Sequence, residues 1–169
     1  MKKFVFIMLV LVLTMCAAFS EETFLKAYER VEMNFTYEEI SKLFGKCEEQ
    51  DGFFLFEDEV LCVFYESGRL QAKARVFDDL ALLAPVAEYS SESLKKLKQG
   101  TSIEEVTEIF SVEGLEIMRI NLSDEENPGV RRVLAWQNAE KANVQALFEL
   151  DDGEWVLFAI AESPAPLKN

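Results

Sequence analysis

The feature that most constrains this chain is a helix start that is written twice. Thr36 is followed three residues later by Glu39, and Ser102 three residues later by Glu105. That spacing is a capping box, in which the hydroxyl and the carboxylate each satisfy a backbone N–H that the first helical turn leaves open. The first copy, Asn34-Phe35-Thr36-Tyr37-Glu38-Glu39-Ile40, predicts a helix ending near Gly45. The second, Gly100-Thr101-Ser102-Ile103-Glu104-Glu105-Val106, predicts a helix whose inner face carries Ile103, Val106, Ile109 and Phe110.

Each start is preceded by a helical pattern and followed by strands. Thr23 to Glu32 has helical spacing, with Phe24, Leu25, Tyr28 and Val31 on one face, and Ser91 to Lys98 repeats it with Leu94 and Leu97. After the first start, strands are predicted at Phe53–Phe56, Val60–Tyr65 and Leu70–Phe77, with a turn at Glu66-Ser67-Gly68. After the second they are predicted at Leu115–Ile120, Val130–Trp136, Asn143–Leu150 and Trp155–Ala161, with a turn at Asp151-Asp152-Gly153. The expectation is an α+β chain of two tandem helix-helix-antiparallel-sheet modules, 21–80 and 91–163, joined by a linker at 81–90 and followed by a disordered tail at 164–169.

Residues 1–20 read as an export signal. Lys2 and Lys3 precede an unbroken apolar run from Phe4 to Met15, shorter than the roughly 20 residues that span a bilayer. Ala18-Phe19-Ser20 places small side chains where a signal peptidase needs them, and cleavage after Ser20 is expected. Cys16, in Leu13-Thr14-Met15-Cys16, is a possible lipid-anchoring residue, although Met15 stands where such motifs carry a small side chain. The expected location is secreted or periplasmic, with a lipid-anchored form as the lesser alternative. A membrane would be met only through Cys16.

The formal net charge is −14, and removing Lys2 and Lys3 with the signal takes it to −16. Such a surface repels nucleic-acid phosphates, so no nucleic-acid partner is expected. There is no histidine, which removes the commonest general base and every histidine-based metal site. Acidic runs such as Glu57-Asp58-Glu59 and Asp124-Glu125-Glu126 read as solvated loops rather than calcium loops. The reading is therefore of a non-enzyme with no cofactor and no metal. The residues carry no signal for an oligomeric state.

The two helix starts resemble the "G-M-T-x-x-E-V" element shared by beta-lactamase inhibitory protein and the small-protein-A (SmpA/OmlA, BamE-like) outer-membrane assembly lipoproteins; the first copy has Asn34 in place of the glycine. The tandem order resembles the inhibitor. The likeness implies a protein-binding module that grips another exported or envelope protein through its sheets, as an inhibitor or as an assembly factor. A small-molecule carrier or sensor, with an apolar pocket between the modules, is the alternative.

Cys47 and Cys62 are the only cysteines left after the signal. In an oxidising compartment an even pair suits a disulfide, while a reactive thiol is the other reading. The inhibitor likeness also implies a bond between these two elements.

If Cys62 faces the helices, alternation puts Val60 and Phe64 in the core and Leu61, Val63 and Tyr65 on the opposite face. On the next strand it sends Leu70, Ala72, Ala74 and Val76 inward and Gln71, Lys73 and Arg75 outward. In the second copy Val144, Ala146 and Phe148 point inward. The last strand, however, reads as apolar on both sides, with Trp155, Leu157 and Ala159 against Val156, Phe158 and Ile160. Leu134 and Trp136 likewise oppose Val133 and Ala135. A sheet with one covered face should not be apolar on both. Either the modules pack there or the face docks a partner. By analogy with the inhibitor, the expected partner-binding residues are Tyr65, Trp136 and Phe158, with Leu61, Val63 and Arg75 beside them.

Overall fold

A computed structural model describes residues 27–56, 60–76, 84–122, 129–139 and 142–163. The expected signal with Cys16, the two acidic runs and the tail lie outside them. The chain forms a mixed helix and antiparallel-sheet fold in which strands dominate, and it divides into two compact units, Met1–Asp79 and Leu80–Asn169.

In the first unit residues 27–30 are helical. Helix α1 (Tyr37–Phe44) starts as its sequence dictates: Glu39 N–H donates to Thr36 Oγ1, and the Thr36 N–H donates to Glu39 Oε2 at 2.8 Å. The bonding to Thr36 also holds the Glu39 carboxyl below its ordinary pKa. The helix ends on Gly45, whose φ of 83° falls where a side chain is disfavoured.

Four strands follow in neighbouring order: β1 (Glu48–Gln50), β2 (Phe53–Phe56), β3 (Val60–Phe64) and β4 (Leu70–Arg75). Strand β1 has no apolar alternation to announce it. It is created by the tight turn Asp51-Gly52, both residues at positive φ (54° and 82°), the two-residue hairpin signature. Phe56, Val60, Cys62 and Leu70 form the core with Tyr28, Val31 and Ile40, and Phe54 and Phe64 pack on it.

Alternation holds along β3 and fails on β4. The register pairs Cys62 with Lys73 and Val60 with Arg75, but Phe64 with Leu70, leaving Gln71 as the extra residue of a bulge. The bulge reverses the faces of the strand. Lys73 and Arg75 point toward the helical side, not outward, and Ala72 and Ala74 turn to the opposite face beside Val63 and Leu61. That face is apolar and buried rather than open and mixed: Leu61, Val63, Ala72 and Ala74 are each at most 7% exposed.

The helical side accepts two cations because it supplies them with partners. Lys73 Nζ donates to the carbonyls of Tyr28 (2.9 Å) and Val31 (2.6 Å) and sits 4.0 Å from the Tyr28 ring centre. These carbonyls close the helical residues 27–30, where the helix dipole favours positive charge. The Arg75 guanidinium stacks on the same ring at 4.2 Å and lies 3.7 Å from Glu29.

In the second unit α2 (Ser91–Lys96) is capped by Ser90, and α3 (Ile103–Phe110) carries the second capping box, Ser102 with Glu105. Strands β5 (Leu115–Asn121), β6 (Val130–Gln137), β7 (Asn143–Asp151) and β8 (Glu154–Ser163) pair antiparallel in that order. Val106, Phe110, Leu134, Trp136, Val144, Ala146, Phe148 and Leu157 form its core. Part of the stretch expected as a linker belongs to this unit: residues 84–87 are bound to Gln137, whose Nε2 donates to Ala84 O at 2.6 Å and whose backbone exchanges hydrogen bonds with Pro85 and Ala87.

Both Cys47 and Cys62 are free thiols here, Cys47 half-buried and Cys62 buried. Burial pushes the Cys62 thiol up to about 12, against a smaller opposing pull from Lys73. The folded thiol therefore keeps its proton above 9, where an unfolded one loses it. Its contribution to stability is fully present below pH 9 and lost as pH rises toward 12. In reduced protein near neutral pH, iodoacetamide is expected to alkylate Cys47 and to spare Cys62 until the unit unfolds. Equal labelling of both by mass spectrometry under native conditions would contradict this burial.

Candidate functional site

The face of the second unit's sheet that points away from its helices is shaped by another bulge. Across β7 and β8, Phe148 pairs with Leu157 and Leu147 with Ala159, so Phe158 has no partner of its own. Leu157 points into the core, at 1% exposure. Ile160 follows it inward, while Val156, Phe158 and Ala159 share the outer face with Val133 and Ala135 of β6, so the sheet is apolar on both sides and Val133 and Ala135 are buried. Phe158 is left outside, 38% exposed. The Arg131 guanidinium lies 4.3 Å from its ring centre and pairs with Glu149 at 3.2 Å, directly across the ladder. A surface aromatic, a stacked arginine and a carboxylate that orients it form a compact group of the side chains that anchor protein interfaces.

A second concave feature lies on the helix-covered side of the same unit. It is a cavity of about 440 Å³ lined by Ile103, Glu104, Thr107 and Glu108 of α3, by Glu113 and Gly114, and by Glu116, Arg132 and Leu134 of the sheet. Arg132 stacks at 4.3 Å on Trp155, and burial is the main cause lowering its pKa. Among the described residues no group of three or more His, Cys, Asp or Glu is placed to hold a metal ion, and no helix is long and apolar enough to cross a membrane.

The residues expected to bind a partner are dispersed. Phe158 is exposed. Tyr65 is half-buried at the β3–β4 turn, where its backbone N–H donates to Arg69 O. Leu61 and Val63 are buried, and Arg75 is buried over Tyr28. Trp136 is not at any surface: it is fully buried, its ring 4.8 Å from that of Phe110 and its Nε1 donating to Val112 O at 3.0 Å. The register explains this, since Trp136 pairs with inward-facing Val144. Arg131 was missed, and only the bulge that brings Phe158 over it could have pointed to it.

No family model matches the chain, and no curated protein matches it. A solved structure resembles it in fold. That structure, from Streptococcus mutans, is described as a candidate beta-lactamase inhibitor protein; it is 13% identical, with a TM-score of 0.47 over 78% of this chain and 83% of that one.

Proposed function

We propose that this chain is an exported, non-catalytic binding module that holds a protein partner on the outer face of β6–β8, around Phe158 and Arg131. The observation that carries the reading is Phe158 itself. A large aromatic held 38% exposed by a bulge, with a guanidinium stacked on it, has no packing duty that requires that position. The acidic surface suits a partner with basic groups at its rim. In this reading the two units are tandem copies of one helix-helix-sheet module, residues 1–20 direct export, and Cys47 and Cys62 are joined after export. The partner is another exported or envelope protein, bound by an inhibitor or an assembly factor.

Phe158→Ala is the direct test. The substitution should change thermal stability little, by about 0.5 kcal/mol or less for a surface site. It should lower retention of the partner captured from envelope and medium fractions at least tenfold, since a central anchor is worth 2 kcal/mol or more. Equal retention by a folded variant would remove this face from consideration.

A further inference from the structure

Strand β8 is the last strand of the second unit's sheet, and part of its outer edge is already paired. Leu157 N–H donates to Thr101 O and Gly100 N–H donates to Leu157 O, both at 2.8 Å, with Ser102 bridged to Val156. Both backbone groups of Leu157 therefore point away from β7. Upstream of Gly100 the chain is carried off the edge by a turn, in which Thr101 N–H donates to Lys98 O at 3.0 Å. Along an antiparallel pair the backbone groups alternate between facing the neighbour and facing away. Counted along β7 from Phe148, the partner of Leu157, Ala146 and Val144 repeat its arrangement, so their partners Ile160 and Glu162 also send N–H and C=O outward. Among the described residues no backbone group meets them there. We propose that this open stretch, Ile160 to Glu162, takes an extended segment of a protein partner as an added strand, and that the segment alternates apolar and basic side chains.

The terminal strands of the two units are built differently. Strand β1 has three residues, two of them glutamates, a length and charge that discourage pairing. Strand β8 has ten, and from Phe158 to Ala161 it carries neither charge nor proline. Its upstream part, bonded to Gly100 and Thr101, shows that the edge accepts a strand. The side chains on each face select the occupant. On the outer face Phe158, Ala159 and Ala161 are exposed, and the small alanines leave room beside the ring for an apolar side chain. On the other face Ile160 is followed by Glu162, whose exposed carboxylate accepts from Tyr89 Oη at 3.5 Å and suits a lysine or arginine opposite it. The formal net charge of −14 favours a basic segment and opposes a second copy of this chain on the same edge. The inference deepens the proposed function and rests on it: Phe158 stands at the head of the open stretch, and the partner held on its face supplies the strand.

The probe is the peptide acetyl-Lys-Val-Lys-Val-Lys-Val-amide, titrated into the full chain by calorimetry. Saturable binding with a Kd below about 1 mM is expected, and binding about tenfold weaker or less for the same peptide with glutamate in place of lysine. In an extended segment the N–H groups of alternate residues point to opposite edges, so methylating the valine nitrogens or the lysine nitrogens blocks one edge only. One of these two methylated peptides should lose about tenfold or more in affinity, and the other should bind within about threefold of the parent. Glu162→Pro removes an outward N–H, keeps the ladder to β7 and should weaken binding about tenfold, whereas Glu162→Gln, which removes only the charge, should weaken it less. No saturable binding overturns the proposal, as does equal loss or equal retention by the two methylated peptides. Undiminished binding by a folded Glu162→Pro variant overturns it too. If Phe158→Ala then loses binding that Glu162→Pro retains, the added strand falls and the Phe158 face stands. If Glu162→Pro loses binding that Phe158→Ala retains, the added strand stands and the anchoring role of Phe158 falls. A dimer seen by sedimentation that Glu162→Pro dissociates would assign the edge to a second copy and overturn the proposal.

Discussion

Trp136→Ala is expected to destabilise the second unit by about 3–5 kcal/mol, the cost of emptying a well-packed aromatic site. The indole is clamped on two sides. Phe110 meets it edge-on at 4.8 Å, and the backbone of Gly114 approaches so closely that a Cβ there would lie 2.5 Å from Trp136 Cζ2. The same clamp makes Gly114→Ala destabilising by about 1–3 kcal/mol through overpacking, with no loss of any existing contact. Combining Gly114→Ala with Trp136→Phe should recover part of that penalty, because the smaller ring vacates the space the new methyl needs. Chemical denaturation of the single and double variants would show a coupling energy of about 1 kcal/mol or more. A docking role for Trp136 makes the opposite forecast: an unchanged melting temperature in Trp136→Ala, with loss of a partner.

Lys73→Met should cost the first unit on the order of 3 kcal/mol. Methionine keeps the length of the side chain and removes the ammonium. The carbonyls of Tyr28 and Val31 then lose their charged donor, and such hydrogen bonds contribute about 1.5–3 kcal/mol each. For a unit of this size each kcal/mol lowers the melting temperature by about 4–8 °C. Lys73→Arg should be milder, since a cation remains to meet the carbonyls and the Tyr28 ring. A melting temperature within a degree or two of wild type in Lys73→Met would show that these bonds contribute nothing net. Hydrogen exchange offers a second readout, because loosening should concentrate at the amides of residues 27–31.

How much of this was legible in the sequence depends on how local each signal is. Both capping boxes are complete within four residues, and both helices begin where Thr36 and Ser102 place them. The inward set Val144, Ala146 and Phe148 also holds, because β7 runs without interruption across its contact with β6. Alternation fails at Gln71 and Phe158 for a shared reason: a bulge is a property of two strands in register, and one strand's sequence does not contain it. Lys73 and Arg75 were expected outside by alternation from Leu70, in agreement with their charge. They go inside because helix-end carbonyls and the Tyr28 ring, more than 40 positions away in sequence, take the place of water. Asp51-Gly52 was the overlooked local signal, since a hairpin turn of that kind implies a strand on each side even when one reads Glu48-Glu49-Gln50.

Phe158 also bears on how this strand tolerates changes in length. Leu157 and Ile160 face inward with Phe158 and Ala159 between them, one residue more than a regular strand would hold. Omitting Phe158 alone would leave Leu157, Ala159 and Ile160 in simple alternation, with both core side chains still facing their partners. Omitting Ala159 alone would restore the same alternation and keep the ring, whereas a deletion before Leu157 or after Ile160 would swap the faces of the residues beyond it. A homologue lacking residue 158 could thus keep the whole core and lose only the exposed ring, so a single codon decides whether this face presents the aromatic on which the proposed binding rests.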